Sequence, residues 1–557
     1  MKRKSLFLAL GASLCLSLFI TACGSSASSS TAATAAAAES AETESSDTAA
    51  AESGGASGDA QGAPGDAPSG EKPEGNPPDG QGGGQPGGGG GANTMTYDYT
   101  GDLSGTLTAD GEEVTSDGET AESTRADVNT ALAQNGGTLT IRNGTLTKSG
   151  DDTNGDSCNF YGLNSIVLSV GSDSKAVISD SSLRADSEGS NAIFATDSGT
   201  VYAYKDTIHT TAGNSRGLDA TYGGTVIADS MDITTEGDHC AALATDRGGG
   251  NISATNSTLS TAGSGSPLLY STGDIEVRNV TGTASGSQIA GMEGYNTILI
   301  ENSDLTSTIT SKTASDPVAN GVIIYQSTSG DAESSTGETA TFQAVDSQLT
   351  SSIEEGSMFY VTNTTANIYL KNTGVNFDSD KAALLSIEGN SSNNWGTEGA
   401  NGGTVTFTAD SETLSGNITV DTISSLDLYL LDGTTYTGAM TIEENDAAAD
   451  TTESPITVNV DGTSAWIVTK DTTISNLNAA DGAKIVDADG NTVTIVANGE
   501  TVVKGSGNVT VTVTGSYSNT VTTGSANEQD TDYIDRSGFD STFGTSTDFA
   551  DGKTNMT

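Results

Sequence analysis

Apolar residues recur along the middle of this chain in pairs seven positions apart. The pairs are Leu139/Leu146, Ala176/Leu183, Val201/Ile208, Val226/Ile233, Ile252/Leu259, Ile298/Leu305, Phe342/Leu349, Ile368/Val375 and Phe407/Leu414; with Ile275, whose seventh position is Gly282, most anchors stand 23 to 26 residues apart. Position two after the anchor is apolar too, as at Ile141, Ile178, Ala203, Ala228 and Val277. Side chains alternate along a strand, so both positions face one way, inward. Position four shares that parity and holds Asn143, Asp180, Asn256, Asn279, Asn302, Asp346 and Asn372. The expectation is an inward amide at a corner, stacked along a rod and bonded to turn backbone. The odd spacing on to position seven flips the parity, which implies a tight turn and a second strand. A third apolar patch follows at Ile193-Phe194, Leu218, Leu243, Leu268-Leu269 and Leu384-Leu385. Three short strands per coil of about 25 residues, with no 3.6-residue period, predict a parallel β-helix. Longer steps carry Gly/Ser/Asp-rich inserts at 151–156, 327–337 and 389–402, which belong on loops.

The flanks read differently. Over 123–136, Ser123 or Thr124 as cap and Val128, Ala131 and Leu132 as an apolar stripe predict a short helix, stopped by Gly136-Gly137, covering the open end of the stack. From 416 to 524 the strands shorten, at Ile418-Thr-Val420, Leu426-Asp-Leu428 and Val509-Thr-Val511. They continue the helix or close it as a separate sandwich, and continuation is preferred. Residues 525–557 are acidic without a periodic apolar pattern and read as a tail. The fold class expected is therefore all-β: a right-handed parallel β-helix over 137–415 and tighter coils over 416–524. A cap with its helix at 96–136 precedes it, and disordered segments flank it.

Composition adds an address. Lys2, Arg3 and Lys4 precede an apolar run ending at Ile20, too short to span a membrane with these flanks. Residues 1–22 read as a signal peptide, and Ile20-Thr21-Ala22-Cys23 resembles the bacterial lipobox. That resemblance implies cleavage before Cys23 and its lipidation. The expected location is a bacterial cell surface, anchored to the outer face of the cytoplasmic membrane, or to the outer membrane of a two-membrane cell. Residues 24–95 are rich in Ala, Ser, Gly and Pro and cannot bury enough apolar surface to offset chain entropy. Some 70 such residues have an r.m.s. span on the order of 45 Å. The 70 glycines and 5% aromatics in 557 residues exclude a thick globular core. A net charge of −52 repels nucleic acid, excludes it as a partner, and attracts Ca²⁺ at most diffusely. Cys158 and Cys240 are about three coils apart and read as buried hydrophobes or free thiols rather than a bridge. A monomer is expected.

The segments SRGLDATYGGTV, HCAALATDRG, NGVIIYQSTSGDA and SAWIVTKDTTISNL resemble repeats of right-handed parallel β-helix surface lipoproteins of gut Firmicutes, within the wider pectate-lyase-like fold. The resemblance covers about 137–515. It implies the fold and the location and leaves the activity open, since that fold serves lyases, hydrolases, adhesins and tailspikes alike.

Chemistry concentrates in one stretch. Aligned on Ile193, Leu218 and Leu243, the residue four later is Asp197, Tyr222 and Arg247 in successive coils, with Arg216, Asp219 and Asp246 close by. Such a column suits a glycan-binding face or a cross-coil salt-bridge ladder. Tyr202 and Tyr204 should face outward beside it, where exposed rings stack on sugars. Asp152, Asn154 and Asp156 resemble half of a Ca²⁺ loop without its distal bidentate Glu. No catalytic motif is present, and no cofactor is implied beyond that possible Ca²⁺. Three functions remain: an adhesin-like or glycan-binding module of host or bacterial surfaces, a structural spacer, and a Ca²⁺-dependent polysaccharide lyase.

Overall fold

The computed structural model describes residues 96–327, 332, 339–391 and 395–549. The signal sequence, Cys23 and the linker to residue 95 lie outside the described residues. The chain is a parallel β-solenoid with three strands in each coil. One coil runs through Ile193–Thr196, Thr200–Tyr204 and Thr207–Thr210, and each strand joins a different sheet. The sheets hold 13, 15 and 10 strands, here the first, second and third sheet. Register follows the apolar anchors: Val201 pairs with Ala176 and Val226, and Ile298 with Ile275 and Phe342. One continuous core fills the rod from Ala109 to Val513. Each coil covers the apolar edge of its neighbour, so a thin core suffices without large side chains.

Beyond 416 the first and second sheets continue, while the other strands form two separate four-stranded sheets. Ile418–Asp421 and Met440–Glu443 join the first sheet, and Ser425–Leu431, Ile456–Val460 and Asn476–Ala479 join the second. Here Tyr436 and Trp466 fill the core, and their polar atoms donate to Gly416 O at 2.9 Å and Gly438 O at 3.0 Å. The antiparallel pair Thr494–Ala497 and Glu500–Val503 lies at the end of the stack. A reversed strand there keeps the last parallel edge from pairing with other chains.

Three expectations change. The helix over 123–136 is absent, and Asn129–Gln134 is a strand of the first sheet, paired with Gly105–Asp110 and Val167–Val170. Ala131 and Ala133 enter the core while Leu132 points out. The period of two was hidden because alanine packs inside a strand yet also favours helices. The helix in this region is α1, Gly155–Tyr161, inside the first insert and capped by Asn154.

The corner residues at position four face outward. Asn143, Asn256, Asn302 and Asn372 are exposed, with φ of 52°, 52°, 46° and 49°. The left-handed conformation, which Asn tolerates best after Gly, breaks strand parity one residue early. The amides do stack along the rod: Asn279 donates to Asn256 at 3.0 Å and Asn372 to Asp346 at 2.6 Å. The inward corner position is the next residue. Ser181, Ser257 and Ser303 accept the backbone N–H of Gly144, Met231 and Val280, each at 3.0 Å. Asp206 does the same for Ser181 N at 2.8 Å, and burial pushes its carboxyl up to about 8.

The segment from 525 to 549 is an ordered strap along the outer face of the second sheet. It contains the helix α2, Ser537–Phe543, and the fully buried side chains of Arg536 and Phe539. Its aromatic residues are too sparse to register as a period, but Phe539 and Phe543 pack on Tyr202 and Tyr204.

Candidate functional site

The column read from Ile193, Leu218 and Leu243 exists: the three pair in register on the first sheet. Asp219 follows Leu218 and points away from the core, between Phe194 and Ala244 of the adjoining coils. Asp197 and Tyr222 turn the next corner with φ of 49° and 47°. The structure brings Arg216, Asp219, Asp246 and Arg247 together, and it covers them. The helix α1 lies over this part of the sheet, with Cys158 and Phe160 buried beneath it. Nη1 of Arg216 donates to Asn159 Oδ1 at 2.9 Å and lies 3.4 Å from Asp219 Oδ2. Nη2 donates to Asp246 Oδ2 at 3.1 Å, and Asp246 Oδ1 accepts the N–H of Arg247 at 2.9 Å. The Arg247 guanidinium sits 3.7 Å from the centroid of the Phe160 ring. This is a buried ion network tying two coils to an insert.

Its electrostatics follow from burial. Asp219 is 0% exposed, and among the described residues neither carboxylate oxygen has a hydrogen-bond partner. Loss of solvent raises its pKa well above the usual carboxylate range, and Arg216 only partly opposes that. Burial works against the charge of Arg216, but Asp219 and Asp246 more than offset it and hold the guanidinium protonated. Cys158 and Cys240 are buried and free, and burial pushes both thiols up, Cys240 to about 11. Neither is a ready nucleophile.

The aromatic expectation is corrected in one respect. Tyr202 and Tyr204 do point outward from their strand, but Tyr202 is buried and Tyr204 half-buried. Phe539 of α2 packs edge-on to Tyr202 at 5.8 Å, and Phe543 lies 4.8 Å from Tyr204. Tyr222 is likewise covered: Tyr161 of α1 stacks on it at 5.6 Å and Tyr97 meets its edge at 5.6 Å. An alternation argument gives the side of a sheet on which a residue lies, not what later packs there. The strap's Ile534, Phe539 and Phe543 are the sequence sign of it.

The acidic stretch at 151–156 builds a helix start. Asn154 Oδ1 accepts Ser157 N at 3.1 Å, Asp156 stands in the first turn, and Asp152 lies beside Cys158 and Glu188. Among the described residues, no group of three or more His, Cys, Asp or Glu side chains is arranged to hold a metal ion.

The third sheet is different. Thr207, Asp232, Thr258, Thr281 and Asp304 form one outer column in register, and all five are exposed. Beside it run Arg184, His209, Thr234, Ser260, Thr283 and Thr306, where His209 Nε2 and Glu236 Oε1 lie 2.9 Å apart. The columns repeat at the coil spacing of ~4.8 Å. Such a face presents hydroxyls and carboxylates at fixed intervals, able to accept and donate hydrogen bonds to a repeating polar polymer.

No family model matches the chain, and no curated protein is significantly similar to it.

Proposed function

We propose that this chain is a lipid-anchored bacterial surface rod that acts as an adhesin-like, glycan-binding module, on the pattern of the β-helix surface lipoproteins its repeats resemble. The observation that supports this reading is the uncovered third sheet, with its in-register exposed columns of Thr, Ser and Asp. A repeating sugar chain offers hydroxyls at intervals that such columns can meet, and many weak contacts add through multivalency. The test is a glycan array probed with the mature chain carrying Cys23→Ser. Binding to at least one glycan class is expected, with a loss of tenfold or more in Thr258→Lys/Thr281→Lys. A parent chain without signal would sink this reading.

The second reading, a structural spacer, is favoured by the buried Arg216 network and the covered tyrosines, which leave the 197–247 region closed. A spacer gives no array signal. Both readings share the anchor. Labelled palmitate should enter the wild-type chain, and Cys23→Ala should abolish the label and release the chain into the medium. Label retained in the variant would contradict lipidation at Cys23.

A further inference from the structure

The strap crosses the second sheet as a bound peptide crosses a groove. Asn527 donates to Thr408 at 2.8 Å, and Phe539 packs on Val177, Tyr202 and Ile227 several coils away. Between the strands of Thr408 and Tyr202 lie seven strand-to-strand steps, or ~34 Å. Twelve residues cover that distance at ~2.8 Å each, without regular structure over 529–536 and helical from Ser537.

The sheet reads the strap largely through its backbone. Gln343 accepts Asp530 N at 2.8 Å and donates to Asp530 O at 3.0 Å. Glu276, buried in the sheet face, accepts Ile534 N at 2.7 Å. Arg278 donates to Asp548 O at 3.0 Å and Phe549 O at 2.5 Å. The charged anchor of the strap is Arg536, which donates to Ser253 O at 2.7 Å, Ala228 O at 2.9 Å and Thr255 Oγ1 at 3.0 Å. Backbone recognition with one buried charged anchor and one aromatic anchor is how extended peptides are held on sheets. The strap does not fill its track, since a cleft of about 290 Å³ remains between Asn367 and Tyr369 below and Gln529 and Asp532 above. Residues 519–524 join it to the rod without regular structure, and Thr522, Thr523 and Gly524 are exposed.

We propose that this track is a docking groove for an extended polypeptide, and that its exchange partner is the C-terminal segment of a second copy of this chain. A neighbour's strap would make every contact that the chain's own strap makes, so exchange gives up only the covalent tether. Copies crowded on one surface would reduce that loss by raising the effective concentration. Exchange would link rods side by side. This inference is independent of the glycan reading.

The test uses the full chain with a protease site inserted between Thr523 and Gly524. After cleavage, a fluorescent peptide spanning 525–549 should replace the cut strap and saturate at one per rod. The same peptide with Arg536→Ala should bind at least tenfold more weakly. Intact copies carrying donor and acceptor dyes at position 523 should gain energy transfer on long mixing. The proposal is overturned if the peptide fails to bind a rod whose circular dichroism is unchanged by cleavage. A rod that unfolds on cleavage overturns it too, because the strap is then integral to the fold. Competitive displacement of the peptide by a polysaccharide would assign the track to a sugar chain instead.

Discussion

Arg216→Ala is expected to lower stability by about 3–5 kcal/mol at pH 8, because it strands two buried carboxylates without their cation. Arg216 touches Asp219 and Asp246 of two coils and Asn159 of α1, so its loss also frees the helix from the sheet. Urea unfolding followed by circular dichroism measures the cost. The loss should shrink at pH 5, where the stranded carboxylates, now without a countercharge, take up protons. Asp219→Asn is expected to cost far less, since it removes a charge whose burial is unfavourable and leaves Arg216 paired with Asp246. Equal losses for the two variants at both pH values would contradict the buried network. Arg216→Met paired with Asp219→Leu should recover much of the loss, as apolar replacements of buried pairs often do.

The second large effect is on pH. The rod is expected to be more stable at pH 5 than at pH 8.5. Burial pushes the carboxyls of Asp206 and Glu276 up to about 8, and those of Asp316, Glu388 and Glu412 up to about 7. In the unfolded chain these groups titrate near 4. Between roughly pH 4 and 8 the folded state therefore holds protons that the unfolded state has released. Their contribution is complete below the unfolded value and is lost as pH rises through the folded one. Asp206 and Glu276 are 1% and 2% exposed, so solvent screening is slight. Half of their two shifts amounts to about 5 kcal/mol. Self-repulsion at a formal charge of −52 acts in the same direction. Carboxyls held low, such as Asp410 beside Lys371, oppose the trend only below about pH 4. The measurement is a series of urea midpoints from pH 4.5 to 8.5. Asp206→Asn, which keeps an acceptor for Ser181 N, should flatten the slope. A midpoint that rises with pH would refute the argument.

Periodicity alone specified the solenoid. The anchors at Val201, Val226 and Ile252 stand in register because a stacked coil must place one apolar residue over another. Leu426 and Ile456 pair in register past 416 for the same reason. The helix over 123–136 was misread where alanines satisfy both periods. The corner amides were misplaced because parity counting has no term for a residue in the left-handed region, whereas φ of 52° at Asn143 turns the side chain outward.

The fate of the candidate site was a tertiary matter. Sequence spacing brought Arg216, Asp219 and Asp246 to one column and put Tyr202 and Tyr204 on an outer face. It carried no information on two covers that come from far along the chain. Asn159 precedes Arg216 by two coils, and Phe539 reaches Tyr202 from the opposite end of the chain. Local alternation is set by neighbours one and two residues away, so it determines which way a side chain points. Exposure depends on which distant segment gains most by burying its few apolar groups there, and only the folded chain decides that.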